Sequence, residues 1–114
     1  MNKINNNQEN HFDEYAFDWW NKTGNYELLH NLNPCRLEYI LSRFELKNKK
    51  ILDIGCGGGI FSEELSKFGA KVTGIDSSTK SINIAKQHAK ENNLDIEYIN
   101  SSILDIENLE KYDC

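Results

Sequence analysis

A glycine-rich segment, Asp53 to Gly59, has the residue types and spacing expected of a ligand-binding loop. It has the sequence DIGCGGG and overlaps the short apolar run ILDI at 51–54, which is typical of a strand buried in a parallel sheet. Glycines at such a point let the backbone turn sharply and approach a bound molecule without a Cβ in the way. The segment therefore predicts a binding site at a strand end, the alternative being a turn that is rich in glycine for steric reasons alone.

Two aspartates accompany this loop. Asp76 closes the run KVTGID at 71–76, about 20 residues beyond the glycines, where nucleotide-binding domains place a carboxylate against the ribose hydroxyls. A helix-capping role at the same strand-to-helix turn is compatible with that function. Asp53 lies two residues before the first glycine, where it could position a cationic group of a ligand or tie down the loop backbone.

The class of ligand depends on the end of the glycine pattern. The dinucleotide fingerprint G-x-G-x-x-G/A, counted from Gly55, needs a small residue where Ile60 stands, and isoleucine is too large for close helix-to-strand contact. The order D-x-G-x-G-x-G resembles instead the first motif of class I S-adenosylmethionine-dependent methyltransferases. This resemblance implies S-adenosylmethionine as the cofactor. The cofactor-binding residues in the motif and at the second strand are then Asp53, Gly55, Gly57 and Asp76.

A more specific resemblance precedes the loop. Residues 17–40, FDWWNKTGNYELLHNLNPCRLEYI, contain paired tryptophans, a Leu-His step and an N-P-x-R-L segment. Together with the glycine loop they resemble the ubiquinone biosynthesis O-methyltransferases, over residues 12–114. The resemblance implies that Arg36 binds the cofactor, whose methionine carboxylate its guanidinium could hold in a bidentate pair. Composition alone would make Arg36 an ordinary exposed residue in the first turn of a helix.

The activity that this family implies is methylation of a phenolic hydroxyl of a polyprenylated quinol precursor. The catalytic residues stay unknown, because the family's acidic and histidine residues associated with catalysis or metal follow a fourth strand and the sequence ends at Cys114. We therefore expect an amino-terminal part that is inactive alone. Two alternatives remain open: a non-catalytic binding module, and a fragment of an NAD-dependent oxidoreductase, which Ile60 disfavours.

The hydrophobic pattern predicts the elements that position these residues. Helical spacing starts at Phe12 and reaches Trp19. Trp19 and Trp20 either pack in a core, form a lid over the cofactor or form the mouth of a site for a prenylated phenol. Asn33 and Pro34 predict the N-cap and first residue of the next helix. Strands are expected at 51–54, 71–76 and 96–99, alternating with helices that begin at Ile60 and after Ser77 or Ser78.

This alternation predicts an α/β, Rossmann-like class I methyltransferase fold, in which a helical extension precedes a parallel sheet that stops after its third strand. The expected organisation is a disordered tail at 1–10, a helical extension at 11–48 and the first, incomplete half of the cofactor domain at 49–114. A fourth strand is expected to begin at 111–114.

The composition limits the classes of molecule that the chain is expected to bind. The net charge of −5 comes without a block of basic residues, so no nucleic-acid surface is indicated. The sequence shows neither an apolar run of about 20 residues nor a secretory signal, which favours a cytoplasmic protein. Three widely spaced cysteines predict reduced thiols and no metal site. The expected partners are a small prenylated phenol or quinol, a membrane surface contacted through other regions, and a second polypeptide carrying the rest of the fold.

Overall fold

The computed structural model describes residues 18–102 and 111–114. Its helices are α1 (Glu27–Leu41), α2 (Ile60–Lys67) and α3 (Thr79–Glu91), and its strands are β1 (Lys50–Ile54), β2 (Lys71–Asp76) and β3 (Glu97–Asn100). The strands form one sheet in the order β1-β2-β3, and both pairs are parallel. The predicted α/β alternation is confirmed. The tail at 1–10 and the helix expected from Phe12 lie outside the described residues.

Strand β1 has backbone partners along both edges. On one edge it pairs with β2, with Ile54 opposite Ile75. On the other edge the N–H of Cys114 donates to the carbonyl of Lys50 over 3.3 Å, and the N–H of Leu52 donates to the carbonyl of Cys114 over 2.9 Å. One residue, Cys114, thus bonds to two residues of β1 that are two positions apart, which is the hydrogen-bond pattern of parallel strands. The chain therefore begins to pair along the second edge of β1 at the place where a further strand is predicted to begin.

Two apolar clusters hold the helices on the sheet. The first joins β1 and β2 to α2 and to the segment after α1, through Leu46, Ile51, Leu65, Ala70 and Val72. The second lies under α3 and consists of Cys56, Ile82, Ala85, Ala89 and Tyr98. The buried positions of α3 recur every three to four residues, as an amphipathic helix requires. Residues that share a helix face in the sequence are thus the ones that α3 buries.

Helix α1 corrects one prediction. It begins at Glu27 and contains Pro34, so Asn33 is not its N-cap. Asn33 is buried instead, and its Nδ2 donates to the carbonyl of Ile60 over 2.9 Å. An internal proline costs a helix about 3 kcal/mol, which the packing of Leu37 and Ile40 against the first cluster offsets. The prediction that a helix starts at Asn33 and Pro34 was wrong, because tertiary contacts on both sides of Pro34 hold one continuous helix.

Candidate functional site

The carboxyl ends of β1 and β2 lie side by side and carry both predicted carboxylates. Asp53 is the last residue but one of β1, and Asp76 is the last residue of β2. The N–H groups of Gly55 and Cys56 each donate to the carbonyl of Ile75 over 2.9 Å, which ties the glycine loop to β2. Open α/β sheets bind ligands outside the carboxyl ends of their strands. The structure therefore places the loop and both acids where such a site is expected.

The glycines of the loop are required for different reasons. Gly55 and Gly57 have positive φ angles of 70° and 56°, a conformation that glycine adopts at little cost. A Cβ on Gly55 would meet nothing within 4 Å, whereas a Cβ on Gly57 or Gly58 would overlap the Trp19 indole. The missing side chain at Gly55 thus leaves open space for a ligand. The missing side chains at Gly57 and Gly58 leave space for a tryptophan of the same chain.

A cleft of about 360 Å³ opens beside Gly55. Its lining residues come from the segment before β1 and from the end of β1 onward: Trp19, Leu29, Leu32, Arg36, Asp53, Gly55, Cys56, Ile60 and Phe61. Three of the five predicted site residues, Arg36, Asp53 and Gly55, therefore meet in one cleft. Gly57 and Asp76 do not line it but lie next to it, joined to each other by a hydrogen bond of 2.9 Å.

Arg36 reaches the cleft from the middle of α1, not from a first turn. Its guanidinium lies 4.1 Å from the centroid of the Phe61 ring, a cation–π contact that fixes the direction of the side chain. Its charge lowers the pKa of Asp53, which offsets part of the effect of burial. Within residues 18–102 and 111–114 the guanidinium makes no hydrogen bond, so its five N–H donors are available to a ligand.

Asp53 is held from α2. Its Oδ2 accepts a hydrogen bond of 2.6 Å from the hydroxyl of Ser62. Burial raises the pKa of Asp53, the Asp76 carboxylate raises it further, and Ser62 and Arg36 oppose the rise. Ser62 is a functional neighbour that the sequence pattern did not indicate, because a serine on a helix is ordinary until the helix is docked. Asp53 is thus oriented by a helix side chain, with its second oxygen left for other partners.

Replacing Asp53 with asparagine is expected to raise the free energy of unfolding near neutral pH. Because the pKa of Asp53 in the folded state lies above its ordinary value of 3.8, the folded state binds more protons than the unfolded state at pH values between the two. The stability of the wild type therefore falls as the pH rises through this range. Asparagine keeps an acceptor for Ser62 without the charge. Urea unfolding near pH 7 and near pH 4 should show an advantage of the variant that shrinks with falling pH. An advantage that does not change with pH would contradict this explanation.

Asp76 organises the loop and the start of α3. Its Oδ2 accepts from the N–H of Gly57 over 2.9 Å and its Oδ1 from the N–H of Ser78 over 2.8 Å. The N-cap of α3 is Ser78 itself, whose hydroxyl accepts from the N–H of Ser81 over 3.2 Å, in agreement with the sequence. Each carboxylate oxygen of Asp76 keeps a further lone pair. The loop-organising role therefore leaves Asp76 able to accept hydrogen bonds from a diol.

Cys56 also lines the cleft but is not suited to nucleophilic chemistry. Burial, followed by the carboxylates of Asp53 and Asp76, raises the pKa of its thiol far above the ordinary value. The reactive form of cysteine is the thiolate, which this environment disfavours. Across the described parts of the chain, no group of three or more histidine, cysteine, aspartate or glutamate residues could hold a metal ion.

The tandem tryptophans lie in the turn before α1 and contact the glycine loop. The Trp20 Nε1 donates to the carbonyl of Gly58 over 2.8 Å, and its ring stacks on His88 with centroids 3.6 Å apart. His30 pairs through Nε2 with the carbonyl of Trp19 over 2.7 Å, which gives this histidine a structural role. The sequence left three roles open for both tryptophans: core packing, a lid over the cofactor and the mouth of a substrate site. Their contact with a loop about 40 residues away depends on the tertiary fold and has no local signal.

Comparisons with known proteins agree with this geometry. Residues 51–114 match the methyltransferase domain family. Ubiquinone biosynthesis O-methyltransferases are similar over most of the chain: that of Nitrosococcus oceani is 48% identical over 92 residues, 81% of this chain and 39% of the relative. That of Pelagibacter ubique is 42% identical over 124 residues, 99% of this chain and 52% of the relative. The chain thus spans about half the length of the curated relatives it matches.

Solved structures show the same fold. Magnesium protoporphyrin IX methyltransferase from Synechocystis with bound S-adenosylhomocysteine superposes with a TM-score of 0.76 at 22% identity, over 92% of this chain and 53% of that one. The same enzyme with bound S-adenosylmethionine gives a TM-score of 0.67 at 24% identity, over 74% and 41% of the two chains. The fold, the glycine loop and the family match lead to one conclusion: this chain belongs to the methyltransferase domain family and is similar to its ubiquinone biosynthesis O-methyltransferases.

Proposed function

We propose that this chain forms the S-adenosylmethionine site of an O-methyltransferase of ubiquinone biosynthesis. The observation that carries the proposal is the meeting of Arg36, Asp53 and the open side of Gly55 in one cleft at the end of β1. Similarity to O-methyltransferases of that pathway, at 42–51% identity, supports the substrate class.

The residues of the cleft fit the amino-acid end of S-adenosylmethionine. A cation at Arg36 complements the methionine carboxylate, and the Asp53 carboxylate complements the ammonium group. Gly55 allows close approach of the backbone, and the free lone pairs of Asp76 suit the ribose diol. A dinucleotide would instead bring a pyrophosphate to the glycine loop beside the Asp53 carboxylate, which repels it. The charge pattern therefore favours S-adenosylmethionine over NAD.

The contribution of these residues to the reaction is alignment. When bound, S-adenosylmethionine supplies an electrophilic methyl group on a sulfonium. Arg36 and Asp53 would fix the amino-acid end and Asp76 the ribose, so that the methyl group points in one direction for in-line attack by a phenolic oxygen. The aromatic and aliphatic side chains of the cleft exclude water from that end of the ligand. No general base is proposed among residues 18–102 and 111–114.

The substrate proposed is a small prenylated phenol or quinol. Its apolar tail keeps such a molecule at a membrane, so the proposed setting is the cytoplasm with a peripheral membrane contact. Within the described residues no helix has the length and apolar character needed to cross a bilayer. The match with the Nitrosococcus oceani relative leaves more than half of that protein's length uncovered. We propose that the groups that bind the quinol belong to that part, in the same polypeptide or in a second one.

Equilibrium dialysis tests the cofactor assignment. The purified chain is expected to bind labelled S-adenosylhomocysteine and to lose it in competition with S-adenosylmethionine but not with NADH. Binding of NADH in preference to both would overturn the assignment and favour an oxidoreductase. Methyl transfer to a demethylquinol analogue, measured with the chain alone and with the remaining part of a relative added, then tests the substrate class. Transfer to unrelated phenols at the same rate would contradict it.

A further inference from the structure

We propose that Trp19 is a ligand-contacting residue of the cofactor site, and that Trp20 beside it acts only by positioning the glycine loop. The inference rests on the proposed function and adds to it a residue that the glycine motif does not include. Two adjacent and chemically identical side chains thus have different roles in ligand binding.

Trp19 lines the cleft directly. Trp19 is one of its lining residues, as are Arg36 and Asp53, and its side chain fills the space that side chains at Gly57 and Gly58 would occupy. A ligand that approaches the backbone of the loop at Gly55 therefore meets the indole as the adjoining surface. An aromatic ring presents a large rigid surface with few rotatable bonds, so it contacts a ligand at low entropic cost.

The orientation of the Trp19 ring is fixed by two further contacts. Its Nε1 donates to the hydroxyl of Ser81 over 2.9 Å, and Ser81 is buried in the first turn of α3. Tyr26 stacks on the indole with centroids 3.7 Å apart and planes 15° apart. The ring thus connects the turn before α1, the glycine loop and the helix that follows Asp76. A wall held at three points is formed before the ligand arrives, which favours tight binding.

Trp20 differs because it is absent from the lining of the cleft. Its Nε1 bonds the Gly58 carbonyl, and its ring stacks on His88 at an interplanar angle of 1°. His88 in turn pairs through Nδ1 with the buried Glu63 over 2.6 Å. Trp20 therefore anchors the far side of the loop to α2 and α3. Trp20 therefore affects ligand binding only by holding the glycine loop in position.

Fluorine NMR on the unmodified sequence separates the two roles, since the chain has two tryptophans. Incorporation of 5-fluorotryptophan gives one resonance for each, and Trp20→Phe assigns them. Titration with S-adenosylhomocysteine is expected to shift the Trp19 resonance strongly and the Trp20 resonance little. In the single-tryptophan variants, ligand-induced fluorescence change should persist in Trp20→Phe and be lost in Trp19→Phe. The affinity of Trp19→Phe should fall about tenfold.

A purely structural role for Trp19 would lower stability without placing the ligand signal on its ring, so urea unfolding of both variants is the matched control. A resonance of Trp19 that stays in place while the chain binds S-adenosylhomocysteine would overturn the inference and leave the proposed function standing. A larger shift at Trp20 would reverse the two roles and overturn it equally. Absence of binding in dialysis would remove the proposed function together with the inference.

Discussion

Replacing Gly57 with alanine is expected to reduce the free energy of unfolding by about 3 kcal/mol. The backbone φ of 56° at this position strains any residue with a Cβ, and the added methyl group would overlap the Trp19 ring. The ring cannot move aside freely, because Ser81 and Tyr26 hold it. Urea unfolding followed by far-ultraviolet circular dichroism measures the loss.

Gly55→Ala is the matched control for this prediction. Its φ of 70° is similar, but its Cβ would enter open space, so the expected cost is only about 1 kcal/mol. The methyl group would project into the cleft, and binding of S-adenosylhomocysteine should weaken instead. Trp19→Leu combined with Gly57→Ala should recover most of the steric part of the loss. Equal destabilisation by the two glycine variants, with no effect of Trp19→Leu, would contradict the assignment of these two glycines.

Replacing Arg36 with alanine is expected to weaken the binding of S-adenosylhomocysteine by about 10- to 100-fold, the worth of a charge-assisted bidentate pair. Stability should change little, because the side chain is exposed and its cation–π contact with Phe61 is worth less than a buried contact. Arg36→Lys should recover only part of the affinity, since an ammonium keeps the charge but not the planar pair of donors. Isothermal titration calorimetry measures both variants.

Arg43→Ala is the control for Arg36. Arg43 lies just beyond the end of α1, is exposed, and places its guanidinium 3.7 Å from the Tyr39 ring centroid. It therefore resembles Arg36 in charge, exposure and aromatic contact, but it does not line the cleft. Its removal should leave the affinity unchanged. Equal losses in the two variants would mean that general positive charge attracts the ligand and would contradict a specific role for Arg36.

The parts of the fold that the sequence predicts correctly are those with a local physical cause. The strand β2 was expected at 71–76 and is found at Lys71–Asp76, because a short β-branched run between turn residues has few alternatives. The cap at Ser78 follows from a side chain that bonds its own helix. Parallel pairing follows from the helices between the strands. These features need no knowledge of distant contacts.

The features that escaped prediction depend on tertiary contacts. Helix α1 runs through Pro34 because packing on α2 outweighs the local cost of proline. The positions of Trp19 and Trp20 at the loop depend on hydrogen bonds to Ser81 and Gly58, which are distant from them in the sequence. The meeting of Arg36 and Asp53 was expected from a family resemblance, and no spacing rule would have indicated it.

Nitrogen-15 NMR of the chain titrated with S-adenosylhomocysteine shows where on the protein the ligand binds. The largest shifts are expected at the backbone amides of Gly55 and Cys56 and at the side-chain Nε of Arg36. A second cleft, which includes Lys71, Thr73 and Leu94 at the opposite ends of the strands, should be unaffected. Saturable shifts confined to that second cleft, or no shift at Gly55 and Arg36 under saturating ligand, would contradict this expectation.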